Sequence, residues 1–446
     1  MRLKNLFSNH IFQTLMVALP GLISSFLVGI FIVQILGPTG KGVLGLISFN
    51  IELLVLILGL SLGSAITYFI SNKKIKPEKV LSISAFLLAS ALVVALVAYF
   101  TIDAFGYSLI VYSPEFLGPT VVLYFFLTFF FQVFKLMAIA FLQGYQKIKW
   151  INVNTLIIAL VNFMAITPLF LYLFTNDQLQ QTEHFTLVIQ LLILSNVITI
   201  SPLIYFVLRT IRKENLRIVR FSIKDDFKPM IRFALIGHLS NVINFFNYRI
   251  DIWFISYFFF EAFDLLSFYL IAVTLSQIIW QIPTAINLVY FPRLCENPSI
   301  STTIKITRLN TLLTSICIII GLILAPILIP ELYGAEFEAS VLPFQLLLIG
   351  IFFGSLSKTM ASFIFAKGRV TVNLIGTIVG LLVTLILDYL LIPKFGIVGA
   401  SWATNVTYFS IFLVCLGYMW RVAKKEGIGI RVFTLMIPGL LGRNDK

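Results

Sequence analysis

A dozen long apolar runs follow one another along the chain, separated by short polar connections. Each run is close to the ~20 residues that a helix needs to cross ~30 Å of hydrocarbon. The runs are continuously apolar, whereas strands of a membrane β-barrel alternate apolar and polar residues. The pattern predicts an all-α integral membrane protein with about 12 transmembrane helices, at 11–36, 42–70, 81–103, 117–142, 151–174, 187–208, 230–258, 265–290, 304–329, 341–365, 370–392 and 398–420.

Positive charge lies almost entirely on alternate connections between these runs. Of the 32 Lys and Arg residues, 26 lie on one set of connections and the termini, and the opposite set holds only Lys41 and Lys394. Basic loops stay in the cytoplasm, so we expect a multi-pass protein of the inner or plasma membrane with both termini cytoplasmic. The net charge of +13 then fits a cytoplasmic rim facing anionic membrane lipids, without a nucleic-acid partner.

The longest basic connection divides the runs into six and six. We therefore expect an N-terminal six-helix lobe at 1–208, a cytoplasmic inter-lobe loop at 209–229, a C-terminal six-helix lobe at 230–420 and a cytoplasmic tail at 421–446. An even number of spans returns the chain to the same side, so the lobes can be pseudo-symmetric parallel repeats. Lys135 in the fourth run and Lys358 in the tenth run occupy matching positions, which supports the repeat.

Composition and motifs argue against an enzyme or a metalloprotein. The chain is 59% hydrophobic and 11% charged, whereas soluble domains are about 25% charged. The segment Gly37–Gly42 resembles a phosphate loop only superficially, because it lacks the required first glycine and the Ser or Thr after Lys41. Three scattered cysteines form no disulfide or metal pattern. We expect no catalytic activity, no metal, no cofactor and no use of ATP.

Four segments carry a family resemblance. Leu36–Gly42 follows the first run, and Phe291–Leu294 closes the eighth. Leu332–Leu347 leads into the tenth run, and Leu391–Thr404 connects the eleventh to the twelfth. In this order and spacing they resemble the Wzx-type polysaccharide and O-antigen flippases of the multidrug/oligosaccharidyl-lipid/polysaccharide (MOP) exporter superfamily. Asp388 departs from the resemblance, since a neutral polar residue such as Asn is expected there.

The resemblance implies a V-shaped, MATE-like transporter of two six-helix lobes. The implied substrate is a polyprenyl-diphosphate-linked oligosaccharide, which moves from the inner to the outer leaflet by alternating access for cell-surface polysaccharide, capsule or lipopolysaccharide synthesis. The implied partners are this lipid-linked oligosaccharide, membrane lipids, and polysaccharide polymerase and chain-length proteins. Coupling to a proton or sodium gradient is implied as well.

Ionisable residues inside the runs are the candidate site residues, because a charge in the membrane faces a cavity or a partner. Lys135 lies roughly 12 Å from the cytoplasmic end of its run at 1.5 Å per residue, and Lys358 lies at similar depth. Both lysines are candidates for binding the diphosphate. The alternative is that each snorkels towards the inner headgroups.

Arg249 is the third candidate for substrate binding. It follows Asn241, Asn244 and Asn247, which recur at every third position like one polar helix face. Arg249 and Asp251 are two residues apart and do not face each other on a regular helix, so each is expected to have a separate partner. The alternative is an inter-helix structural ion pair. Asp251 and Glu52 are the candidates for ion coupling.

Three other functions compete with the flippase. A small-molecule or drug exporter of the same superfamily would share the fold. An integral-membrane glycan polymerase or ligase needs external catalytic groups, and the external connections here are short and nearly uncharged. A scaffold without transport would not explain the charges within the membrane.

Overall fold

The computed structural model describes residues 9–105, 108, 110, 116–175 and 181–426. Within these ranges the chain is helical and contains no strand. The helices are α1 (Asn9–Gly59), α2 (Leu62–Asn72), α3 (Pro77–Ala104), α4 (Pro119–Gly144), α5 (Ile148–Thr175), α6 (Gln181–Lys213), α7 (Lys228–Phe258), α8 (Phe263–Ile279), α9 (Gln281–Glu296), α10 (Ile300–Tyr333), α11 (Val341–Ala366) and α12 (Val370–Lys425). The prediction of an all-α membrane fold is confirmed, and the predicted tail lies outside the described residues from 427 onwards.

Nine helices of the described part are long and apolar enough to cross a membrane, which makes the chain a multi-pass membrane protein. Twelve runs were expected, and the difference has two physical causes. Helices α1 and α12 each contain two runs, joined at Gly37 and Gly396, whose backbone is not helical. Helix α7 carries too many polar residues to count among the nine, although the seventh run is helical throughout.

Helix α12 turns back on itself at Gly396. This glycine has φ 56°, a left-handed conformation that glycine adopts without steric cost. Past the turn, a Cβ on Gly399 would lie 2.4 Å from the carbonyl oxygen of Leu391. Farther away, Gly380 faces Ile411, and these residues lie 16 positions before and 15 positions after Gly396 along the chain. The two segments of α12 therefore pack as an antiparallel hairpin.

One predicted span contains a break in its helix. Leu60 and Ser61 both adopt positive φ angles between α1 and α2. In contrast, Trp280 between α8 and α9 keeps right-handed helical angles, and Phe263–Asn287 forms one apolar span. Irregular backbone at membrane depth is tolerated where protein buries it or where it lines a cavity. The Oγ atom of Ser61 accepts a hydrogen bond at 2.8 Å from the side-chain amide of Asn241, so a side chain of α7 contacts the break.

The described chain divides into two compact units, Met1–Val242 and Ile243–Lys446, here called unit 1 and unit 2. The division falls inside α7, and the lobe boundaries expected at 208 and 230 stay a prediction. In unit 1, small residues bring α2 and α4 close together: Thr67 donates a hydrogen bond at 3.1 Å to the carbonyl of Ala140. In unit 2, the buried Asn405 of α12 accepts a hydrogen bond at 2.7 Å from the amide of Gly350 in α11.

The connection between α6 and α7 is anchored to unit 1. Asp226, 6% exposed, accepts hydrogen bonds from Lys79 Nζ and from the amide of Ser222, both at 2.8 Å. The amide of Val219 donates to Ser82 Oγ at 2.9 Å. Burial alone would raise the pKa of the Asp226 carboxyl, but the hydrogen bonds and the Lys79 charge outweigh it, so the pKa lies below its usual value of 3.8.

Candidate functional site

A polar cavity of about 650 Å³ lies within unit 1. Helices α1, α2, α4, α5 and α6 surround it, and its polar lining consists of side-chain amides, a threonine and one lysine: Gln132, Lys135, Gln143, Asn154, Asn162, Asn196 and Thr199. These positions recur at helical spacing, since Asn154 and Asn162 are eight residues apart on α5 and Asn196 and Thr199 are three apart on α6. No carboxylate belongs to the lining.

Asn154 is the most deeply buried amide of this lining. Its side chain is 2% exposed, and its Oδ1 finds no hydrogen-bond partner among the described residues. Other amides are already engaged: Asn196 donates to Thr128 Oγ1 at 3.0 Å, and Asn162 accepts from Ser195. A buried polar atom without a partner costs about 1–3 kcal/mol. The Asn154 oxygen is therefore a buried acceptor whose hydrogen-bonding capacity is unused among the described residues.

Lys135 supplies the one charge in this lining. It is half-buried on α4, and neither of the ion pairs formed between described residues, Lys79–Asp226 and Lys367–Glu426, involves it. A cation within an amide-lined cavity attracts anionic groups and repels other cations. The predicted role of Lys135 in substrate binding stays a prediction, and the structure places it where a ligand would meet it.

Unit 2 contains a buried cluster of oxygen atoms around two carboxylates. The Tyr269 hydroxyl donates a hydrogen bond to Asp251 and lies 3.5 Å from Thr404 Oγ1. Asp388 is 0% exposed, receives a hydrogen bond from Thr384 at 3.3 Å, and lies close enough to Asp251 to interact with it electrostatically. Its second oxygen finds no hydrogen-bond partner in the described part.

A cavity of about 280 Å³ opens onto this cluster, with Asp251, Tyr269 and Thr404 among its lining residues. Its aromatic walls come from α7, from α12 and from the junction of α8 and α9. Between ring centroids, Tyr248 and Tyr408 are 5.9 Å apart, and Trp280 and Tyr408 are 5.7 Å apart. Lys358 lies at this wall, and its Nζ is 4.9 Å from the centre of the Trp280 ring. The same Nζ donates a hydrogen bond to Thr284 Oγ1. Both Lys135 and Lys358 thus lie near a cavity, but the surroundings differ.

The remaining predicted residues, Arg249 and Glu52, lie outside these two linings. Arg249 is half-buried on α7 and interacts electrostatically with Asp251 and Tyr408. Asp251 is hydrogen-bonded to Tyr269 of another helix. Glu52 is half-buried on the second segment of α1. The structure brings Arg249 and Asp251 together in unit 2 and leaves Glu52 in unit 1.

The two cavities suit different chemistry. Carboxylate, hydroxyl and carbonyl oxygens bind hard cations, and two nearby carboxylates can share a proton. The Asp251–Asp388 cluster can therefore take a monovalent cation or a proton. Among the described residues no group of three or more His, Cys, Asp or Glu side chains could hold a metal ion. The unit 1 cavity offers a cation and amides instead, which suits polar groups with negative charge.

Sequence reasoning missed most of the partners in both sites. Asn154 and Asn162 share one face of a span, a polar spacing comparable to the asparagines before Arg249. Tyr269 lies within a largely apolar run and had no polar periodicity to mark it. Asp388 stood out as a departure from the family pattern, and its surroundings place it beside Asp251.

Comparison with known proteins supports the fold. The chain matches no protein-family model. It is similar to an uncharacterized membrane protein of Methanocaldococcus jannaschii, with 25% identity over 150 residues. That match spans 34% of this chain and 36% of the relative, so about a third of the relative's length is covered.

Solved structures match over nearly the whole chain. The lipid II flippase MurJ in an inward closed conformation aligns with a TM-score of 0.71 and 14% identity, covering 95% of this chain and 91% of MurJ. Two multidrug resistance MATE family transporters of the MOP superfamily also align. The inward-facing structure has a TM-score of 0.59 and 13% identity, and the alignment covers 91% of this chain and 96% of that transporter. The outward-facing structure has a TM-score of 0.53 and 14% identity, and the alignment covers 93% of this chain and 95% of that transporter. The chain therefore has the helical fold shared by MurJ and MATE transporters.

Proposed function

We propose that the protein is a flippase that moves a polyprenyl-diphosphate-linked oligosaccharide from the inner to the outer leaflet. The fold is that of a lipid II flippase and of MATE transporters, but these identities of 13–14% carry only the fold. The observation that supports the substrate is the half-buried Lys135 in an amide-lined cavity that lacks carboxylates. Such a lining fits an anionic, hydroxyl-rich head group better than a cationic or apolar one.

Arg249, Lys135 and Lys358 are the residues we assign to substrate binding. A diphosphate carries at least two negative charges and must shed water to enter the membrane region. Fixed cations at membrane depth offset this cost, and a guanidinium adds planar, bidentate hydrogen bonds. The lipid tail would stay in the bilayer while these groups guide the polar head. The protein would act without chemical conversion of its substrate.

Ion coupling is assigned to the cluster around Asp251 in unit 2. Asp251 and Asp388 are 7% and 0% exposed and lie on α7 and α12, within electrostatic reach of each other. Binding of Na⁺ or a proton would neutralise part of this buried charge and change the packing between the two helices. Glu52 is the weaker candidate, since it lies in unit 1, apart from this cluster.

A second candidate function is export of cationic small molecules. The unit 2 cavity combines the aromatic rings of Tyr248, Trp280 and Tyr408 with the carboxylate of Asp251. Aromatic faces and a carboxylate favour organic cations. Lys358, which already contacts the Trp280 ring, argues against this reading, because a bound cation would meet a fixed positive charge.

The test replaces Arg249 in cells that depend on the protein for surface glycan. Arg249→Ala should stop export and cause lipid-linked glycan to accumulate, whereas Arg249→Lys should retain part of the export because it keeps the charge. The membrane abundance of each variant is measured in parallel. Arg421→Ala is the matched control, since this exposed arginine lies at the cytoplasmic end of α12.

The outcomes separate three interpretations. Normal abundance with lost export supports a binding role for Arg249. Normal abundance with normal export in Arg249→Ala refutes that role. Low abundance shows that Arg249 pairs structurally with an acidic group such as Asp251, which would be left buried and uncompensated. Resistance to cationic drugs that depends on Asp251, with unchanged surface glycan, would favour the exporter instead.

A further inference from the structure

The connection that follows α6 turns sharply and then runs along α3. Asn215 ends α6 in a left-handed conformation with φ 51°, and the amide of Leu216 donates a hydrogen bond at 3.0 Å to the carbonyl of Ile211. This is the Schellman form of a helix end, which stops the helix and redirects the chain. After the turn, the amide of Val219 donates to Ser82 Oγ of α3 at 2.9 Å. The connection is therefore held against a membrane-spanning helix.

Aromatic contacts show how far along α3 the connection reaches. The Phe221 ring lies 6.0 Å and the Phe227 ring 6.2 Å from the Phe86 ring, between centroids. Helix α3 has 28 residues, so at 1.5 Å per residue it is about 12 Å longer than the ~30 Å of hydrocarbon. With this excess shared equally between its ends, Phe86, which follows the first residue Pro77 by about 13 Å, lies about 7 Å inside the hydrocarbon. The two rings that contact Phe86 therefore lie within the apolar layer.

Residues 216–224 combine exposed apolar and exposed basic side chains. The segment reads LRIVRFSIK and contains Arg217, Arg220 and Lys224 but no acidic residue. These three basic residues are exposed, and Ile218 and Ile223 are 76% and 74% exposed. At a membrane surface, such a segment inserts its apolar side chains among the lipid chains and keeps its cations at the headgroups.

A second feature marks the membrane boundary at the same end of unit 1. The guanidinium carbon of Arg209 lies 5.3 Å from the centre of the Trp150 ring, and Trp150 belongs to the first turn of α5. Tryptophan is enriched at the boundary between hydrocarbon and water. Arg209 lies in the last two turns of α6, which ends at Lys213. The connection therefore begins at this boundary, and its contacts with α3 return it to the same level.

We propose that residues 216–224 form a membrane-surface anchor that binds anionic phospholipids. Ile218 and Ile223 lie among the lipid chains, and Arg217, Arg220 and Lys224 contact the headgroup phosphates. The contacts with α3 described above hold the segment at this depth. Anionic headgroups complement its three cations, and each such residue near a charged membrane strengthens the attachment. This anchor does not depend on which substrate the protein transports.

The depth of the segment is tested by fluorescence of the full-length protein in nanodiscs. Ile218→Cys and Ile223→Cys are made in a protein whose three native cysteines are changed to alanine, and each new cysteine carries an NBD label. The nanodiscs contain phosphatidylcholine and phosphatidylglycerol, with a nitroxide near the start of some acyl chains. This shallow nitroxide should quench both labels, because both side chains lie just below the headgroups.

Two positions on α3 calibrate the depth. Lys76→Cys places the label at an exposed residue just before the helix, where the nitroxide should quench it little. Val93→Cys places it at a residue that is 59% exposed near the middle of the helix. A nitroxide near the end of the acyl chain should quench this label more strongly than the shallow nitroxide does.

The preference for anionic lipid is measured with the label at residue 218. Quenching titrations with nitroxide-labelled phosphatidylglycerol and phosphatidylcholine give the ratio of their association constants. Phosphatidylglycerol should associate at least about fivefold more strongly, which is the effect of one basic residue near the membrane surface. The charge variant combines Arg217→Gln, Arg220→Gln and Lys224→Gln, and its ratio should fall to about one. The matched control combines Arg421→Gln, Lys424→Gln and Lys425→Gln, which removes three exposed cations at the end of α12 and should keep the wild-type ratio.

Amide hydrogen exchange supplies a readout on the wild type with its native cysteines. Exchange of residues 216–224 should be slower in nanodiscs with phosphatidylglycerol than in phosphatidylcholine alone, and the charge variant should lose this difference. Equal exchange in both lipids, or a lipid preference that survives the charge variant, would overturn the lipid site. Labels at residues 218 and 223 that behave like the label at residue 76 would overturn the anchor. Labels shielded from aqueous iodide but not quenched by lipid would also overturn it, because a protein partner would then cover the segment.

Discussion

Replacing Asp388 with asparagine should stabilise the protein while removing its response to a coupling ion. Asp388 is fully buried, one of its oxygens lacks a hydrogen-bond partner in the described part, and it lies near the buried Asp251. An unsatisfied buried acceptor costs about 1–3 kcal/mol, and more when it is charged. When this carboxyl is ionised, Asp388→Asn removes the buried charge and supplies a donor at the same volume. We expect the free energy of unfolding to rise by about 1–3 kcal/mol in buffer without sodium at alkaline pH, where the buried carboxyl is ionised.

The assay is an SDS unfolding titration followed by circular dichroism, with and without added Na⁺ and at several pH values. Na⁺ or protons should stabilise the wild type, because ligands that bind only the native state shift unfolding by mass action, and Asp388→Asn should lose this response. Asp103→Asn, which alters an exposed carboxylate at the end of α3, should change stability by less than about 0.5 kcal/mol. Destabilisation by Asp388→Asn, or an unchanged response to Na⁺ and pH, would refute the reasoning.

Three further predictions concern the connection between α6 and α7 and the energy source. A topology reporter fused after Arg220 should report the cytoplasm, as the basic connections require, and a reporter active only outside would contradict the orientation. Purified protein should hydrolyse no ATP in proportion to transport, since the phosphate-loop pattern around Lys41 is incomplete; transport-linked hydrolysis free of contaminating ATPases would overturn this. The Lys79–Asp226 pair should hold the connection between α6 and α7 above about pH 4 and release it as the pH falls through the lowered pKa of Asp226. The measurement is hydrogen exchange at the amides of Val219 and Ser222, corrected for its intrinsic pH dependence. In the wild type the exchange should become faster on acidification, and in Asp226→Asn it should be fast already at neutral pH. Equal protection of these amides in both proteins at neutral pH would contradict the prediction.

The helices could be predicted because their signals are local. Continuous apolar runs of membrane length predicted the all-helical fold, and the runs on either side of Gly396 are the two segments of α12. The break at Leu60 and Ser61 was not predicted, since the apolar run continues through it. The positive φ angles there accompany a hydrogen bond to Ser61 from Asn241 of a distant helix, a contact that sequence spacing does not reveal.

The candidate sites were only partly predictable, because charge within a span is visible in sequence but its surroundings are not. Asp251 was identified from its position in an apolar run, whereas Tyr269 and Thr404 reach it from other helices. Lys135 and Lys358 occupy matching positions in α4 and α11, yet one lines an amide cavity and the other lies on a tryptophan ring. That difference arises from the neighbouring helices.

The central claim is that the protein moves a diphosphate-linked oligosaccharide lipid across a bilayer, with Lys135 contacting the polar head. The most direct measurement reconstitutes the purified chain into liposomes with a fluorescent polyprenyl-diphosphate oligosaccharide and follows the label accessible to an external quencher, without ATP. We predict that the wild type equilibrates the lipid between leaflets, that Lys149→Met, which removes an exposed lysine, does so at the same rate, and that Lys135→Met is at least about tenfold slower. Equal rates for the wild type and protein-free liposomes, or for the wild type and Lys135→Met, would contradict the account.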